Sequence, residues 1–141
     1  MVAMSGLEVL GAVASAAQLA DTCLKIATCA VDLFSRIRDA PETIQKRLEE
    51  VKQLTEIARL IERNPSLQTP LIASVLTRAR ADADQLFKIL IKIDVQPTAG
   101  KVVKYWKGLE GVTKEKRILA ICDRLQENKV SLTLSIASIN S

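Results

Sequence analysis

The sequence predicts an all-α protein, a helical bundle forming one domain over residues 1–141. Apolar residues recur every three or four positions along most of the chain, which is the period of one helical face. Hydrophobic residues make up 48% of the chain and aromatic residues only 3%, so the core must be aliphatic. With 5 Gly and 4 Pro, the chain is poor in turn residues, which argues against a many-stranded sandwich. We expect about four long helices and a short helix near 101–109.

The first helix is predicted to begin at the capping box Ser5-Gly-Leu-Glu8 and to extend to about Arg38. Residues 9–20 contain no charge, and more than half of them are Ala, Gly or Ser. Asp21-Thr22 has the composition of a helix cap. Two alternatives therefore stay open: one continuous helix, or a break near residue 20 that makes residues 6–20 a detachable helix. The predicted buried seam has three-four spacing and consists of Leu10, Val13, Ala17, Ala20, Leu24, Ala27, Val31 and Phe34.

The same period predicts three further long helices. The second begins at Pro41 and ends near Arg63, the third begins at Thr69-Pro70 and ends near Ile93, and the last begins near Lys114. Residues 130–136 also alternate as a strand would, but no partner strand is evident, so we predict helix there. The predicted inner faces are Ile44, Leu48, Val51, Leu54, Ala58 and Ile61; Ile72, Leu76, Ala79, Ala83, Leu86, Leu90 and Ile93; and Ile118, Cys122 and Leu125.

The composition argues against catalysis. The chain has no His, the commonest general base and metal ligand, and it has no Gly-rich phosphate-binding loop. Its three cysteines, Cys23, Cys29 and Cys122, form no C-x-x-C pair. We interpret them as reduced, buried thiols. We therefore expect no catalytic residues, no metal site and no cofactor.

The basic charge is concentrated in one segment. Residues 101–117 contain six basic and two acidic residues, a difference equal to the +4 net charge of the chain. Lys101, Lys104 and Lys107 share one predicted helical face beside Trp106. Three interpretations remain: a solvated lysine face with Trp106 in the core, contact with anionic lipid, or contact with nucleic acid. Because nothing else favours nucleic acid, we expect no nucleic-acid partner.

The first helix itself has two compatible interpretations. Small residues recur at i,i+4 spacing in Gly11/Ser15 and in Ala12/Ala16/Ala20, which permits close helix packing in a core or in lipid. The N-terminus lacks the basic region of a signal peptide. Asp21 and Lys25 interrupt the apolar stretch, so it is not an orthodox transmembrane span. A helix that is buried at rest and released on activation satisfies both interpretations.

These residues resemble a fungal family. The opening Met4-Ser-Gly-Leu-Glu-Val-Leu-Gly-Ala-Val-Ala-Ser15 is similar to the start of HeLo-like domains, including the SesA type. The Ala/Leu helix ending in Phe34, then Trp106, and the Leu-rich and apolar segments Ile118–Leu125 and Lys129–Leu134 resemble the rest of that pattern. The resemblance spans nearly the whole chain, but its motifs are helical patterns rather than catalytic signatures.

The resemblance implies a helical effector domain at the N-terminus of a NOD-like (STAND) protein, with a NACHT or NB-ARC nucleotide-binding module downstream in cis. We therefore expect a domain cut from a longer protein, with residues 1–3 as an artificial addition. The implied activity is programmed cell death in heterokaryon incompatibility and innate immunity. The implied mechanism is oligomerisation, exposure of the first helix and membrane permeabilisation. A non-membrane homotypic or adaptor module is the alternative.

The resemblance also implies partners and site residues. The expected partners are the chain itself, as a homo-oligomer, and membrane lipid, with movement from the cytoplasm to the plasma membrane on activation. Asp21 and Lys25 shorten the insertable segment. The candidate anionic-lipid face is Lys101, Lys104, Lys107 and Trp106. The implied membrane and oligomer helix contains Gly6, Leu7, Leu10, Gly11, Val13, Ser15, Ala17 and Leu19.

Overall fold

A computed structural model describes the backbone of residues 6–37, 42–94, 98, 100 and 111–140, and the side chains of the same residues except 6–10 and 111–114. Across these residues the structure contains helices and no strand, which confirms the all-α prediction. The short helix predicted near 101–109 lies outside the described residues. The helices are α1 (Gly6–Arg36), α2 (Glu42–Glu50), α3 (Lys52–Arg63), α4 (Pro70–Asp94) and α5 (Gly111–Asn140), with one 3₁₀ turn at Pro65–Leu67.

The helices form a bundle in which α1 packs between α3 and α4, and α5 packs mainly on α4. Helices α1 and α4 run parallel, because Thr22 contacts Asp84 and Arg36 contacts Asp94. Helix α5 runs antiparallel to α4, with Arg124 bound to Gln85 and Asn128 bound to Asp82. Contacts of α5 with α2 and α3 are fewer and complete the bundle.

Helix α1 is continuous through residue 20, so the predicted alternative of a break there is wrong. Its predicted seam is also displaced by one residue from the buried face. Leu24 and Val31 of that seam are 47% and 66% exposed, although Ala20 and Ala27 are buried. The buried face consists of Ala12, Ala16, Leu19, Ala20, Cys23, Ile26, Ala27, Cys29, Ala30, Leu33 and Ile37.

The displacement has a physical cause. One residue of an α-helix corresponds to a rotation of about 100°, so two apolar rows lie side by side along α1. The predicted row lies close to Asp21, Lys25 and Asp32, which are exposed and need water. The row that carries Leu19, Ile26, Leu33 and Ile37 contains more large aliphatic side chains and is the one buried.

The second predicted helix is divided at Val51 into α2 and α3. The division is a local tightening of the helix rather than a turn, because Val51 keeps helical angles of φ −61 and ψ −27. The Val51 amide donates to the Leu48 carbonyl at 3.3 Å, and the Leu54 amide donates to the Val51 carbonyl at 3.1 Å. These are i to i−3 bonds of the 3₁₀ type. The helix assigned to residues 130–136 is confirmed, since α5 runs through them.

A buried glutamine closes the connection between α3 and α4. Gln68 is 6% exposed, and its amide nitrogen donates to the carbonyls of Ile61 at 3.2 Å and Glu62 at 3.3 Å. These carbonyls lie in the last turn of α3, where intrahelical partners are missing. Thr69 then caps α4 by accepting the Ile72 amide at 3.3 Å, which confirms the predicted start at Thr69-Pro70.

Replacing Gln68 should therefore destabilise the protein measurably. In Gln68→Ala the Glu62 carbonyl loses the donor that Gln68 supplies, and the Ile61 carbonyl keeps only the Asn64 amide, so we expect a loss of about 1 to 3 kcal/mol in the free energy of unfolding. Urea denaturation followed by far-UV circular dichroism measures this loss. Gln18→Ala, at an exposed position of α1, is the matched control and should change stability by less than about 0.5 kcal/mol. Equal stability of the two variants would contradict the capping role.

Candidate functional site

The residues expected to form a membrane and oligomer helix all lie in the first half of α1. Gly6, Leu7 and Leu10 are helical, and their side chains lie outside the described part of the structure. The other five have unequal exposure. Gly11 is exposed, Val13, Ser15 and Ala17 are half-buried, and Leu19 is fully buried. One helix therefore presents these residues to both the core and the surface.

The second group of predicted site residues is the candidate anionic-lipid face. Lys101, Lys104, Lys107 and Trp106 fall within residues 101–110, outside the described residues. The candidate anionic-lipid face therefore stays a prediction.

A shallow groove separates the first half of α1 from the start of α4. Its volume is about 350 Å³, and a methyl group added at Gly11 would meet no atom within 4 Å. The small side chains here leave space between the helices rather than bringing them into close contact. The described residues that line the groove carry no charge; they are Gly11, Ala12, Ser15, Pro70, Ala73, Ser74 and Thr77.

Among the side chains that the structure describes, polar contacts attach α1 to its neighbours from Asp21 onward. The contacts that the structure shows between α1 and other helices begin at Asp21, whose carboxylate accepts a 2.9 Å bond from Arg59 of α3. Thr22 donates to Asp84 of α4 at 3.2 Å. Over residues 11–20, by contrast, the contact with the bundle depends on apolar burial, and three of the four buried side chains are single methyl groups. The buried residues there are Ala12, Ala16, Leu19 and Ala20.

Hydrogen bonds from Arg36 attach the last turn of α1 to the end of α4. Arg36 donates to the main-chain carbonyl of Asp94 at 2.7 Å and also binds the Asp94 carboxylate. A cation at this position satisfies the end of α4 and the helix dipole. Arg36 also pairs with Asp32 at 2.9 Å within α1. Burial and a hydrogen bond with Asp32 raise the pKa of Asp94, whereas Arg36 acts in the opposite direction.

The cysteines are free and buried, as predicted. Burial raises the pKa of Cys23 to about 12, with Asp84 adding to the effect. Burial followed by Asp94 raises the pKa of Cys29 to about 12, and burial raises the pKa of Cys122 to about 11. All three are therefore neutral thiols near pH 7, which are poor nucleophiles and poor metal ligands. Among the described residues, no three His, Cys, Asp or Glu side chains converge to hold a metal ion.

The outer face of α1 is a surface that the sequence prediction missed. We define it as Leu24, Lys25, Thr28, Val31 and Asp32, all of which are exposed. The prediction placed Leu24 and Val31 in the core because they continue the three-four period. The available signal was the charge of Lys25 and Asp32 on the same side of the helix. Beside this face lies a groove of about 230 Å³ between α1 and α2, which includes Ala27, Val31, Phe34 and Leu48.

Two further findings concern membrane-spanning helices and similarity to known proteins. Within the described residues, no helix is both long enough and apolar enough to cross a membrane. Comparison of the chain with protein-family models, curated proteins and solved structures finds no match.

Because the first half of α1 has fewer contacts than the second, we expect its amides to be less protected from hydrogen exchange. Residues 12–20 should exchange their amide hydrogens with protection factors at least about tenfold below those of residues 23–33, because they bury fewer large side chains and have fewer polar links. Hydrogen exchange measured by mass spectrometry on overlapping peptides tests this directly. Residues 79–90 of α4 serve as the internal reference for a fully packed helix. Uniform protection along α1 would contradict the expected gradient.

The raised thiol pKa values predict chemical inertness of the folded protein. At pH 8, a Cys23 pKa of about 12 leaves about one molecule in ten thousand as thiolate. Iodoacetamide should therefore label none of the three cysteines over minutes in the native protein and all three in urea, as counted by intact mass. Thr133→Cys, at an exposed position of α5, is the control and should gain one label without urea. Rapid native labelling of Cys23 would contradict its burial.

Proposed function

We propose that the chain is a non-enzymatic effector domain of the fungal NOD-like type, which promotes cell death by releasing the first half of α1 to a membrane. One observation carries the proposal: residues 11–20 are uncharged and attached mainly through Ala12, Ala16 and Leu19, whereas polar links hold α1 from Asp21 onward. The segment that can leave is therefore distinct from the segment that must stay.

Contact with lipid would offset most of the free-energy cost of releasing this segment. Apolar burial stabilises the attached segment by about 25 cal/mol per Å² of surface removed from water. A bilayer offers the same segment an equally apolar surrounding, so most of this term is retained when the segment changes partner. Segment 6–20, at about 1.5 Å per residue, is about 22 Å long, short of the ~30 Å of a hydrocarbon core. We therefore propose partial insertion of residues 9–20, with Glu8 before them and Asp21 and Lys25 after them remaining among the lipid headgroups.

Clustering supplies the trigger in this proposal. A nucleotide-binding module in cis that assembles into a ring would bring many copies together and raise their local concentration. Released segments would then pack against one another in lipid, and Gly11 and Ser15 are small enough to let such helices approach closely. A cytoplasmic resting state and recruitment to the plasma membrane follow from this sequence of events.

The second candidate is an interaction module that associates with identical or adaptor domains and never enters lipid. The exposed Leu24 and Val31 favour it, because both lie on a surface away from segment 6–20. The two candidates differ in one measurable respect: only the first requires the first half of α1 to contact lipid.

Leakage from vesicles tests the membrane proposal. A C-terminal hexahistidine tag on a chain that has no His of its own would tether the domain densely to nickel-chelating liposomes containing phosphatidylserine. Ala14→Glu places a carboxylate at an exposed position of the releasable segment. Because a charge within the hydrocarbon core costs about 2.5 to 3.5 kcal/mol, we expect dye release to slow by about tenfold or more.

The matched control for leakage is Thr133→Glu, an exposed position on α5 that should leave dye release unchanged. Leu10→Glu and Val13→Glu extend the series along the segment. Circular dichroism and urea titration show that each variant folds. Full leakage by folded Ala14→Glu overturns the membrane mechanism, and absence of leakage by the unaltered chain at every lipid composition favours the interaction module.

A further inference from the structure

The outer face of α1 combines two rows that differ in character. Since successive residues turn by about 100°, Leu24 and Val31 lie about 40 to 60° to one side of Thr28, and Lys25 and Asp32 lie about 40 to 60° to the other. Leu24 and Val31 are 47% and 66% exposed, and Lys25 and Asp32 are exposed as well. Thr28 therefore lies between an apolar row on one side and a row of two opposite charges on the other.

We infer that this face binds a second copy of the chain, through two-fold antiparallel pairing of the α1 helices centred on Thr28. The inference deepens the second candidate function, on which it rests, by naming the surface and the geometry of association, and it is independent of the membrane proposal, because the pairing residues 24–32 do not overlap segment 6–20. Antiparallel pairing also directs the two releasable segments to opposite ends of the dimer. Such a dimer forms in water and keeps the first halves of α1 apart.

The two-fold arrangement brings unlike charges together. Lys25 lies about 4.5 Å along the helix axis before Thr28, and Asp32 lies about 6 Å after it. Reversing one helix about Thr28 therefore places Lys25 within about 1.5 Å, along the axis, of Asp32 from the second copy, on the same side of the interface. Two symmetric ion pairs follow. The Asp32 side chain is 59% exposed even though one of its oxygens binds Arg36, so it can accept a second cation.

The apolar rows of the two copies also face each other in this antiparallel register. The reversal sets Leu24 of each copy beside Val31 of the other, again about 1.5 Å apart along the axis. The groove of about 230 Å³ bounded by Ala27, Val31 and Phe34 opens on this side of the helix and can receive the incoming Leu24. Parallel pairing about Thr28 would instead place Lys25 and Asp32 of each copy beside the apolar Leu24 and Val31 of the other, which leaves both charges without a partner, so the charges select the antiparallel orientation.

Cross-linking tests the register. Thr28→Cys places a thiol on the two-fold axis, and the three native cysteines are buried, so mild oxidation of the whole chain should give one disulfide-linked species of twice 15.4 kDa. Ala14→Cys and Thr133→Cys are exposed controls away from the axis and should remain monomeric on denaturing gels. Cross-linking of Thr28→Cys no faster than that of these controls overturns the proposed register.

Charge exchange tests the interface without lipid. In sedimentation velocity, Val31→Glu and Lys25→Asp should each weaken dimerisation by at least about tenfold, and the double variant Lys25→Asp with Asp32→Lys should restore it. A monomeric unaltered chain at all soluble concentrations, or a dimer that is indifferent to all of these changes, overturns the inference. Vesicle leakage is scored separately, so leakage can fail while dimerisation succeeds, or the reverse.

Discussion

The burial of one apolar row of α1 between α3 and α4 is the constraint on which the rest of the bundle depends. Helix α1 packs extensively on both of these helices, whereas α5 packs mainly on α4. Removing the row from Ala12 to Ile37 would leave the inner sides of α3 and α4 facing water. The polar links of α1, from Asp21 to α3 and from Arg36 to α4, fix the rotation that keeps this row inward.

The contacts that hold α1 in the bundle are unevenly distributed along the helix. From Cys23 to Ile37 the buried row alternates small residues with large aliphatic ones, and ion pairs from Asp21 and Arg36 connect this part of the helix to α3 and α4. From Ala12 to Ala20 the buried residues are mostly alanines, and an open groove separates α1 from α4. Local stability therefore falls towards the N-terminus, because apolar area and polar links decrease together. In the proposed release the bundle would lose the contacts of Ala16, Leu19 and Ala20 and keep those that α1 makes from Cys23 onward.

The surface of α1 offers two kinds of association that use separate residues. Residues 9–20, which carry no charge, are the part that we propose to enter lipid, where the hydrocarbon would replace the apolar contacts of the bundle. The outer face, from Leu24 to Asp32, pairs apolar with apolar groups and cation with carboxylate, which suits a second protein surface in water. The thiols of Cys23, Cys29 and Cys122 are buried and neutral, and none of them lies on this outer face.

The sequence by itself determined the helical class, the inner faces of α4 and α5, and the helix start at Thr69-Pro70, because helical period and capping are local properties. It did not determine which of two adjacent rows of α1 is buried, since both satisfy the same period. Only the tertiary structure decided this, through the positions of α3 and α4 and the need of Lys25 and Asp32 for water. For the same reason the sequence revealed the uncharged residues 9–20 of α1 but not the exposed outer face. The contact of Asp21 with Arg59 likewise joins residues distant in sequence, a relation that no local pattern encodes.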